Sequence, residues 1–141
     1  MTDETIDSEL RRFVVQYEVA WATHDADVLS GLFTDDADII SGPEPRVAGR
    51  KAIREWWAAY FEHVEPGVRM GLTVSATRLL RPDVAVVEVV ASRDDLAGAS
   101  PRARGTWVVV RANGKWKVAA LRAIPPEGGA GGPPMRRTVK Y

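Results

Sequence analysis

The sequence predicts an α+β fold, in which a cone-like, curved antiparallel sheet wraps around three N-terminal helices in the order α-α-β-α-β-β-β-β. Two observations lead to this fold class. Segments with the apolar spacing of a helix all precede residue 65, and long strand-like segments follow one another after it. Asn113-Gly114 then separates the last two strand-like segments, and this dipeptide is the strongest short-range signal for a β-hairpin.

Three segments have the spacing of amphipathic helices. The first covers residues 5–24, where apolar side chains recur every three or four positions from Ile6 to Trp21. The second is shorter, over residues 25–33, and its expected buried stripe consists of Val28, Leu29, Leu32 and Phe33. The third runs from Arg50 to about Val64, and its bulky face consists of Ile53, Trp56, Trp57, Tyr60 and Phe61. A sheet with one apolar face must be covered, so we expect these helices to cover it.

One short strand and four long strands are predicted. The short strand covers residues 37–41, and residues 42–49 are assigned to a loop because a glycine and two prolines interrupt any regular element there. The long strands are predicted over residues 68–80, 84–92, 104–111 and 115–124. A loop rich in Asp, Gly and Pro is expected over residues 93–101.

The composition excludes several classes of protein. The chain has 141 residues, 19 basic and 19 acidic side chains, and no cysteine. Its length fits one domain, which we place at residues 1–124. The zero formal charge argues against a nucleic-acid partner, and the lack of cysteine excludes disulfides and thiolate ligands. The apolar runs are too short to span a membrane, so we expect a cytoplasmic protein with no membrane partner.

The composition changes at Pro125. Residues 125–134 consist of Pro, Gly and Ala with one Glu, which is typical of a flexible or extended linker, and residues 135–141 are basic. Two interpretations of this tail stay open. It is either a disordered end or an arm that docks on its own domain, on a sister subunit or on another protein.

Several stretches resemble the nuclear-transport-factor-2-like superfamily, in particular its ketosteroid-isomerase-like and SnoaL-like (polyketide cyclase) branches. The resemblance covers about residues 6–124 and is carried by Val14–Tyr17, Asp25, Leu32–Ala37, Pro45-Arg46, Gly49 and Ala52–Glu55. Gly49 and the hairpin Asn113–Trp116 are also similar to the SgcJ/EcaC-type subgroup, some of whose members belong to enediyne antibiotic biosynthesis. This superfamily includes isomerases, cyclases, dehydratases and non-catalytic binders, so the function must be argued from the site.

The resemblance implies an internal pocket for a small, largely apolar metabolite. It also implies cofactor-free acid–base chemistry of isomerase, cyclase or dehydratase type in natural-product (polyketide or enediyne) biosynthesis. In ketosteroid isomerases a tyrosine of the first helix donates to the developing oxyanion, and its place here is Tyr17. The general-base aspartate falls at Ser41 and the second acid falls near Thr106, so one of the three catalytic groups is present. A non-catalytic binder, or an accessory dimeric partner of a synthase, is the alternative.

Glu88 interrupts a strand that is otherwise apolar on both faces. A carboxylate among such neighbours is paired, exposed or neutralised by protonation. Strand alternation places Glu88 on one face with Val84, Val86 and Ser92, and the resemblance points that face toward the pocket. There Glu88 would be the general acid or base beside Tyr17. The alternative is an outer-face glutamate that pairs with an arginine, for example across a dimer.

Aromatic side chains are plentiful on the helices, and they suit a flat apolar ligand as well as an ordinary core. The expected ligand-binding residues are Trp21, Ser41, Trp57, Tyr60, Arg104 and Thr106. Arg104 would pair with Glu88 or hold a ligand carboxylate. Trp107 lies on the opposite strand face from Thr106 and, with Val109, is expected to cover the outer sheet as a homodimer interface.

No metal site is predicted, because His24 and His63 are far apart in the sequence and each fits a helix end. The run Asp35-Asp36-x-Asp38 lacks the Gly and the distal Glu of a calcium loop, so we interpret it as solvated charge. Three hypotheses for the function follow. They are an acid–base enzyme, a non-catalytic ligand binder, and a dimeric interaction module whose basic tail engages a partner protein.

Overall fold

In the computed structural model, which describes residues 3–95, 98–99 and 103–124, three helices lie against one face of a seven-stranded sheet. This arrangement confirms the predicted α+β class. The predicted tail over residues 125–141 lies outside the described residues. In the described part, no helix combines the length and the apolar content needed to cross a bilayer.

The helices are α1 (Asp3–Ala22), α2 (Ala26–Ser30) and α3 (Arg50–Phe61). The Asp25 carboxylate caps α2 by accepting hydrogen bonds from the N–H groups of Asp27 and Val28. Gly49 precedes α3 with a φ of 93°, a conformation that other residues rarely adopt. The stripe expected for the second helix is wrong in two places, because α2 has only 5 residues. Val28 is 47% exposed, and Phe33 is the first residue of a strand.

The strands are β1 (Phe33–Ser41), β2 (Val47–Ala48), β3 (Arg69–Arg81), β4 (Val84–Asp95), β5 (Gly98–Ala99), β6 (Ala103–Ala112) and β7 (Lys115–Ile124). Their order in the sheet is β2-β1-β7-β6-β4-β3, and β5 pairs with β4. The two-residue strands β2 and β5 lie in segments that the sequence assigned to loops. The expected antiparallel sheet contains one exception, because β1 and β7 pair in parallel. Most of the chain separates these two strands, which gives the long connection that a parallel pair requires.

Strand alternation separates an inner, helix-covered face from an outer face. On β4 and β6 the inner side chains Val87, Val89, Trp107 and Val109 are at most 2% exposed. The expectation that Trp107 and Val109 cover the outer face is therefore wrong. Trp107 instead packs in the core, where Phe13 of α1 meets it edge-on with the ring centroids 6.4 Å apart.

Strand β3 is at the edge of the sheet, because it pairs with β4 on one side only. Helix α1 protects this edge. The Leu72 N–H of β3 donates to the Glu18 carboxylate at 2.7 Å, and the Thr77 hydroxyl donates to Asp7 at 2.6 Å. These bonds satisfy polar groups that a free edge strand would present to another chain. The hydrogen bond from Thr77, assisted by Arg11, lowers the pKa of the Asp7 carboxyl from its usual value.

Asp38 lies on the outer face, where two arginines surround its carboxylate. Arg122 of β7 donates two hydrogen bonds to it, at 2.8 and 3.2 Å, and Arg46 beside β2 donates a further one. The two bonds from Arg122 and the one from Arg46 lower the pKa of the Asp38 carboxyl. The interpretation of Asp38 as solvated charge is wrong, since only 8% of the residue is exposed. This cluster ties β1 to β7 and to the segment before β2.

Candidate ligand-binding site

A cavity of about 60 Å³ lies between the helices and the inner face of the sheet. Tyr17 of α1 and Trp57 and Tyr60 of α3 form the helical wall, while Val89, Trp107, Leu121 and Met70 are among the residues of the sheet wall. Nearly all of these groups are apolar. The cavity holds more than one water molecule but is far smaller than the several hundred Å³ of a typical site for a drug-sized ligand.

Small residues on neighbouring strands keep this cavity open. Ala91 of β4 pairs with Ala103 of β6, and Gly105 of β6 pairs with Val89 and with Ala123 of β7. A Cβ atom added at Gly105 would lie 3.0 Å from Val89 and 3.3 Å from the Trp107 indole nitrogen. Larger side chains at these positions would therefore occupy the space between sheet and helices. The sequence analysis missed this signal, because small residues that pair across strands are invisible before the register is known.

Tyr17 brings a hydroxyl group to the cavity. The residue is 2% exposed, and its ring lies against Trp107, with the ring centroids 4.5 Å apart. Its hydroxyl makes no hydrogen bond within the part of the chain that the structure describes. Burial raises the pKa of the phenol well above its usual value, so the group stays protonated at any working pH. Tyr17 is therefore a neutral hydrogen-bond donor in the lining of a mostly apolar space.

Arg93 and Tyr60 form a second polar feature of the wall. The Arg93 guanidinium donates to the Tyr60 hydroxyl at 3.3 Å, and both residues line the cavity. The sequence analysis missed Arg93 because it assigned residues 93–101 to a loop. Strand β4 in fact continues to Asp95, so Arg93 shares the inner face with Val87, Val89 and Ala91. A positive charge thus stands at one end of the cavity.

The structure does not bring Glu88 or Thr106 to the cavity. Glu88 is exposed on the outer face of β4, where it pairs with Ala76 on one side and Thr106 on the other. The expectation that this face points inward is wrong. The sequence analysis correctly grouped the residues that share a face of β4, but it chose the wrong face as the inner one. Thr106 lies on the outer face as well, because it pairs directly with Glu88. No carboxylate belongs to the described part of the cavity wall.

The other expected ligand-binding residues take different positions. Trp57 and Tyr60 line the cavity, and the exposed Arg104 borders it. Ser41 and Trp21 are buried outside the cavity wall, and neither the Ser41 hydroxyl nor the Trp21 indole N–H has a hydrogen-bond partner among the described residues. Trp21 packs edge-on against Tyr60 and Phe61, so it supports the aromatic wall from behind.

His24 has a structural position at the end of α1. Its Nε2 atom is 2.8 Å from the backbone oxygen of Val68, and its ring stacks on Phe61 with the centroids 5.1 Å apart. Within the described ranges, no group of three His, Asp or Glu side chains is placed to hold a metal ion.

The fold and the family comparison define the class to which this protein belongs. A sheet whose inner face is covered by helices, with an apolar cavity between them, is the architecture of the nuclear-transport-factor-2-like superfamily. Within it, the chain belongs to the SnoaL-like domain family, which it matches over residues 10–122. No curated protein matches the chain significantly.

Solved structures support the same fold. A domain with a cystatin-like fold from Nostoc punctiforme superposes with a TM-score of 0.74 at 23% identity, over 87% of this chain and 78% of that one. A candidate scytalone dehydratase from Novosphingobium aromaticivorans gives a TM-score of 0.73 at 18% identity, over 87% of both chains. A ketosteroid isomerase-like protein from Erwinia carotovora gives 0.68 at 16% identity, over 82% of this chain and 92% of that one. At these identities the likeness shows the fold alone.

The position of the Tyr17 hydroxyl leads to a prediction about stability. We expect Tyr17→Phe to raise the free energy of unfolding by up to about 1 to 3 kcal/mol, because the substitution removes a buried donor and breaks no hydrogen bond within the described protein. Thr77→Val is the matched control, since it removes the hydroxyl that donates to Asp7, and it should cost about 1 kcal/mol. Urea unfolding followed by far-UV circular dichroism measures both. A loss of more than about 1 kcal/mol for Tyr17→Phe would mean that the hydroxyl is already satisfied inside the protein.

Proposed function

We propose that this protein binds a small, largely apolar molecule in the cavity and that the Tyr17 hydroxyl donates a hydrogen bond to an oxygen atom of that molecule. The observation that carries this proposal is the Tyr17 hydroxyl, a buried donor that lines an apolar cavity and has no acceptor among the described residues. A buried donor without a partner is costly, and a ligand carbonyl, ether or carboxylate oxygen would remove that cost.

The remaining groups of the wall define the chemistry of the ligand. Tyr60 and Arg93 add a hydrogen-bonded pair with a positive charge, whereas the described wall offers no carboxylate that would accept from a ligand hydroxyl. The ligand should therefore present acceptors rather than donors. A cavity of about 60 Å³ is smaller than the roughly 150 Å³ that holds a benzene ring, so side chains such as Met70 and Leu72 would have to move to admit a ligand with a ring.

This chemistry is compatible with an intermediate of polyketide type, which combines flat apolar rings with carbonyl oxygens. The names of two structural neighbours, a candidate scytalone dehydratase and a ketosteroid isomerase-like protein, refer to ligands of similar character. Because of this ligand chemistry, we include in the proposal a role in natural-product biosynthesis and membership of the SgcJ/EcaC-type subgroup.

Acetophenone and ethylbenzene are matched probes for this site, because they have nearly the same shape and only acetophenone carries an acceptor oxygen. We expect Tyr17→Phe to weaken the binding of acetophenone about fivefold to tenfold and to leave the binding of ethylbenzene unchanged. Two-dimensional NMR titration with each probe gives the affinities. Equal affinities of the two probes for the unmodified protein would contradict the role of Tyr17.

Filling the cavity tests its location. Ala91→Val should abolish the binding of both probes, because the added methyl groups occupy the space beside Ala103 and Gly105. Ala120→Val is the control, since Ala120 pairs with Val108 and lies on the outer side of β7. Binding that survives in Ala91→Val, with the fold intact by circular dichroism, would place the ligand elsewhere.

A second candidate function is catalysis by Tyr17 alone as the electrophile. Burial keeps the phenol protonated, which suits a group that donates to the negative oxygen of an enolate. The proton would then move through solvent or through a basic group of the substrate itself, because Glu88 lies on the other side of the sheet. This version retains the isomerase-type hypothesis but removes Glu88 from it.

The isomerisation of cyclohex-3-enone to cyclohex-2-enone, followed by ultraviolet absorption of the conjugated product, separates this candidate from simple binding. If Tyr17 is the electrophile, Tyr17→Phe should lower kcat about a hundredfold or more, and Glu88→Gln should leave it unchanged. A rate no higher than that of the buffer for the unmodified protein would exclude the candidate and leave the binder.

We further propose a homodimer that forms through the outer face of the sheet. Partly exposed valines occupy this face on β4 and β6, namely Val86, Val90, Val108 and Val110. These valines favour association with a second copy, and Glu88 and Arg104, which lie among them, would belong to that interface.

Placing a charge on this face tests the dimer. We expect Val108→Asp to shift the protein to monomers in sedimentation-velocity experiments, because a carboxylate would be buried without a partner. Val15→Asp is the matched control, since Val15 is 55% exposed on α1 and lies away from the sheet face. A monomeric unmodified protein, or a dimer that persists in Val108→Asp, would refute the proposal.

A further inference from the structure

A second and larger cavity lies at the opposite end of β6 and β7. It is a groove of about 700 Å³ between the first half of α1, the end of α2 and the β6–β7 hairpin. No residue of this groove belongs to the wall of the apolar cavity. We call it the hairpin groove.

One face of α1 and the hairpin build the two sides of the hairpin groove. Glu9, Arg12, Phe13 and Gln16 succeed one another at the spacing that places helical residues on one side. The Glu9 carboxylate accepts a hydrogen bond from Arg111 and another from the Trp116 indole, each at 3.0 Å. The Arg111 guanidinium also lies 5.1 Å from the centre of the Trp116 ring. These contacts connect helix and hairpin and fix the shape of the groove.

The charges of the hairpin groove do not balance. Glu9 and Arg111 neutralise each other as an ion pair. Arg12, Lys115 and Lys117 also line the groove, and none of them forms an ion pair with a residue in the part of the chain that the structure describes. Arg12 extends from α1, whereas Lys115 and Lys117 alternate with the buried Trp116 and leave β7 on its outer side, so the three positive charges border the groove from two sides. Such a concentration of one sign in a concave surface attracts anions.

The floor of the hairpin groove is apolar. Phe13 and Trp116, which are 4% and 8% exposed, line it, and Leu32 lies beside them. Cations around these side chains suit a ligand with two parts, an anionic group that binds the cations and a flat apolar body that packs on the part of Phe13, Trp116 and Leu32 that stays exposed beside Arg111. The volume lies in the range of small-molecule sites.

We propose that the hairpin groove is a second binding site, whose ligand is a small organic phosphate with a flat apolar body. A phosphate dianion carries several acceptor oxygens and therefore satisfies two or three cations at once. Arg12 approaches from α1, and Lys115 and Lys117 approach from the start of β7. The site is separate from the apolar cavity, so it does not depend on the function proposed above.

Titration with 1-naphthyl phosphate, followed by two-dimensional NMR of the backbone amides, tests the site. We expect saturable shifts at residues of α1 near Arg12 and of the hairpin from Arg111 to Lys117. Neutral 1-naphthol and inorganic phosphate should each bind at least about tenfold more weakly, because each lacks one of the two parts. Equal affinity of inorganic phosphate and 1-naphthyl phosphate would overturn the two-part ligand.

Charge variants identify the residues. The double variant Lys115→Gln with Lys117→Gln should weaken the binding of 1-naphthyl phosphate about tenfold, and Arg12→Gln alone should also weaken it. The matched control is Lys51→Gln with Arg78→Gln, which removes the same charge from exposed positions on α3 and β3. Thermal unfolding checks that each variant is folded, and Arg12→Gln keeps the test informative if the double variant is not.

Three results would overturn the proposal. An equal loss of affinity in the control would show that net charge alone attracts the probe. Shifts confined to the lining of the apolar cavity, or binding abolished by Ala91→Val, would place the probe in the first site. Failure to bind 1-naphthyl phosphate while polyglutamate binds would show that the groove recognises acidic polypeptides instead.

Discussion

The packing of α1 against the inner face of the sheet is the interaction on which the rest of the structure depends. Phe13 and Tyr17, one helical turn apart, both contact the ring of Trp107 at the middle of β6. This contact fixes the distance between helix and sheet. Toward one end of β6 the inner residues become Gly105 and Ala103, which are too small to fill that distance. The cavity is thus a consequence of one large aromatic contact followed by small residues on the same face.

The elements were predictable because each has a strong local signal. Apolar spacing located α1 and α3, and Asn113-Gly114 located the β6–β7 hairpin at its observed position. The two-residue strands β2 and β5 were missed, since their pairing depends on partners distant in sequence and not on their own composition. The same reason explains the parallel pair of β1 and β7, which no local pattern indicates.

The face of a strand was harder to predict than the strand itself. Alternation grouped Glu88 with Val84 and Val86 correctly, but β4 is apolar on both sides, and its pattern does not say which side the helices cover. The resemblance to a family selected the wrong side for Glu88. The charge of that residue was the better guide, because an exposed glutamate costs nothing and a buried one must be paired.

The residues of the candidate site also differ in how well the sequence predicted them. Tyr17, Trp57 and Tyr60 lie at the cavity because apolar helical faces must meet the sheet, while their role in binding stays a prediction. Arg93 was missed because the end of β4 lies in a stretch with loop composition. The open space itself arises from small residues that adjoin only after pairing, as Ala91 does with Ala103.

The parallel pair of β1 and β7 has a consequence for synthesis on the ribosome. Phe33–Ser41 emerges early, yet its neighbour in the sheet, Lys115–Ile124, is the last strand of the described residues to be translated. Until then the sheet of the nascent chain is incomplete, and the Asp38 carboxylate lacks its hydrogen bond from Arg122. The order of translation thus delays the pairing of β1 with β7 until more than a hundred residues have been made, so that a chain interrupted before Arg122 would leave β1 without this neighbour.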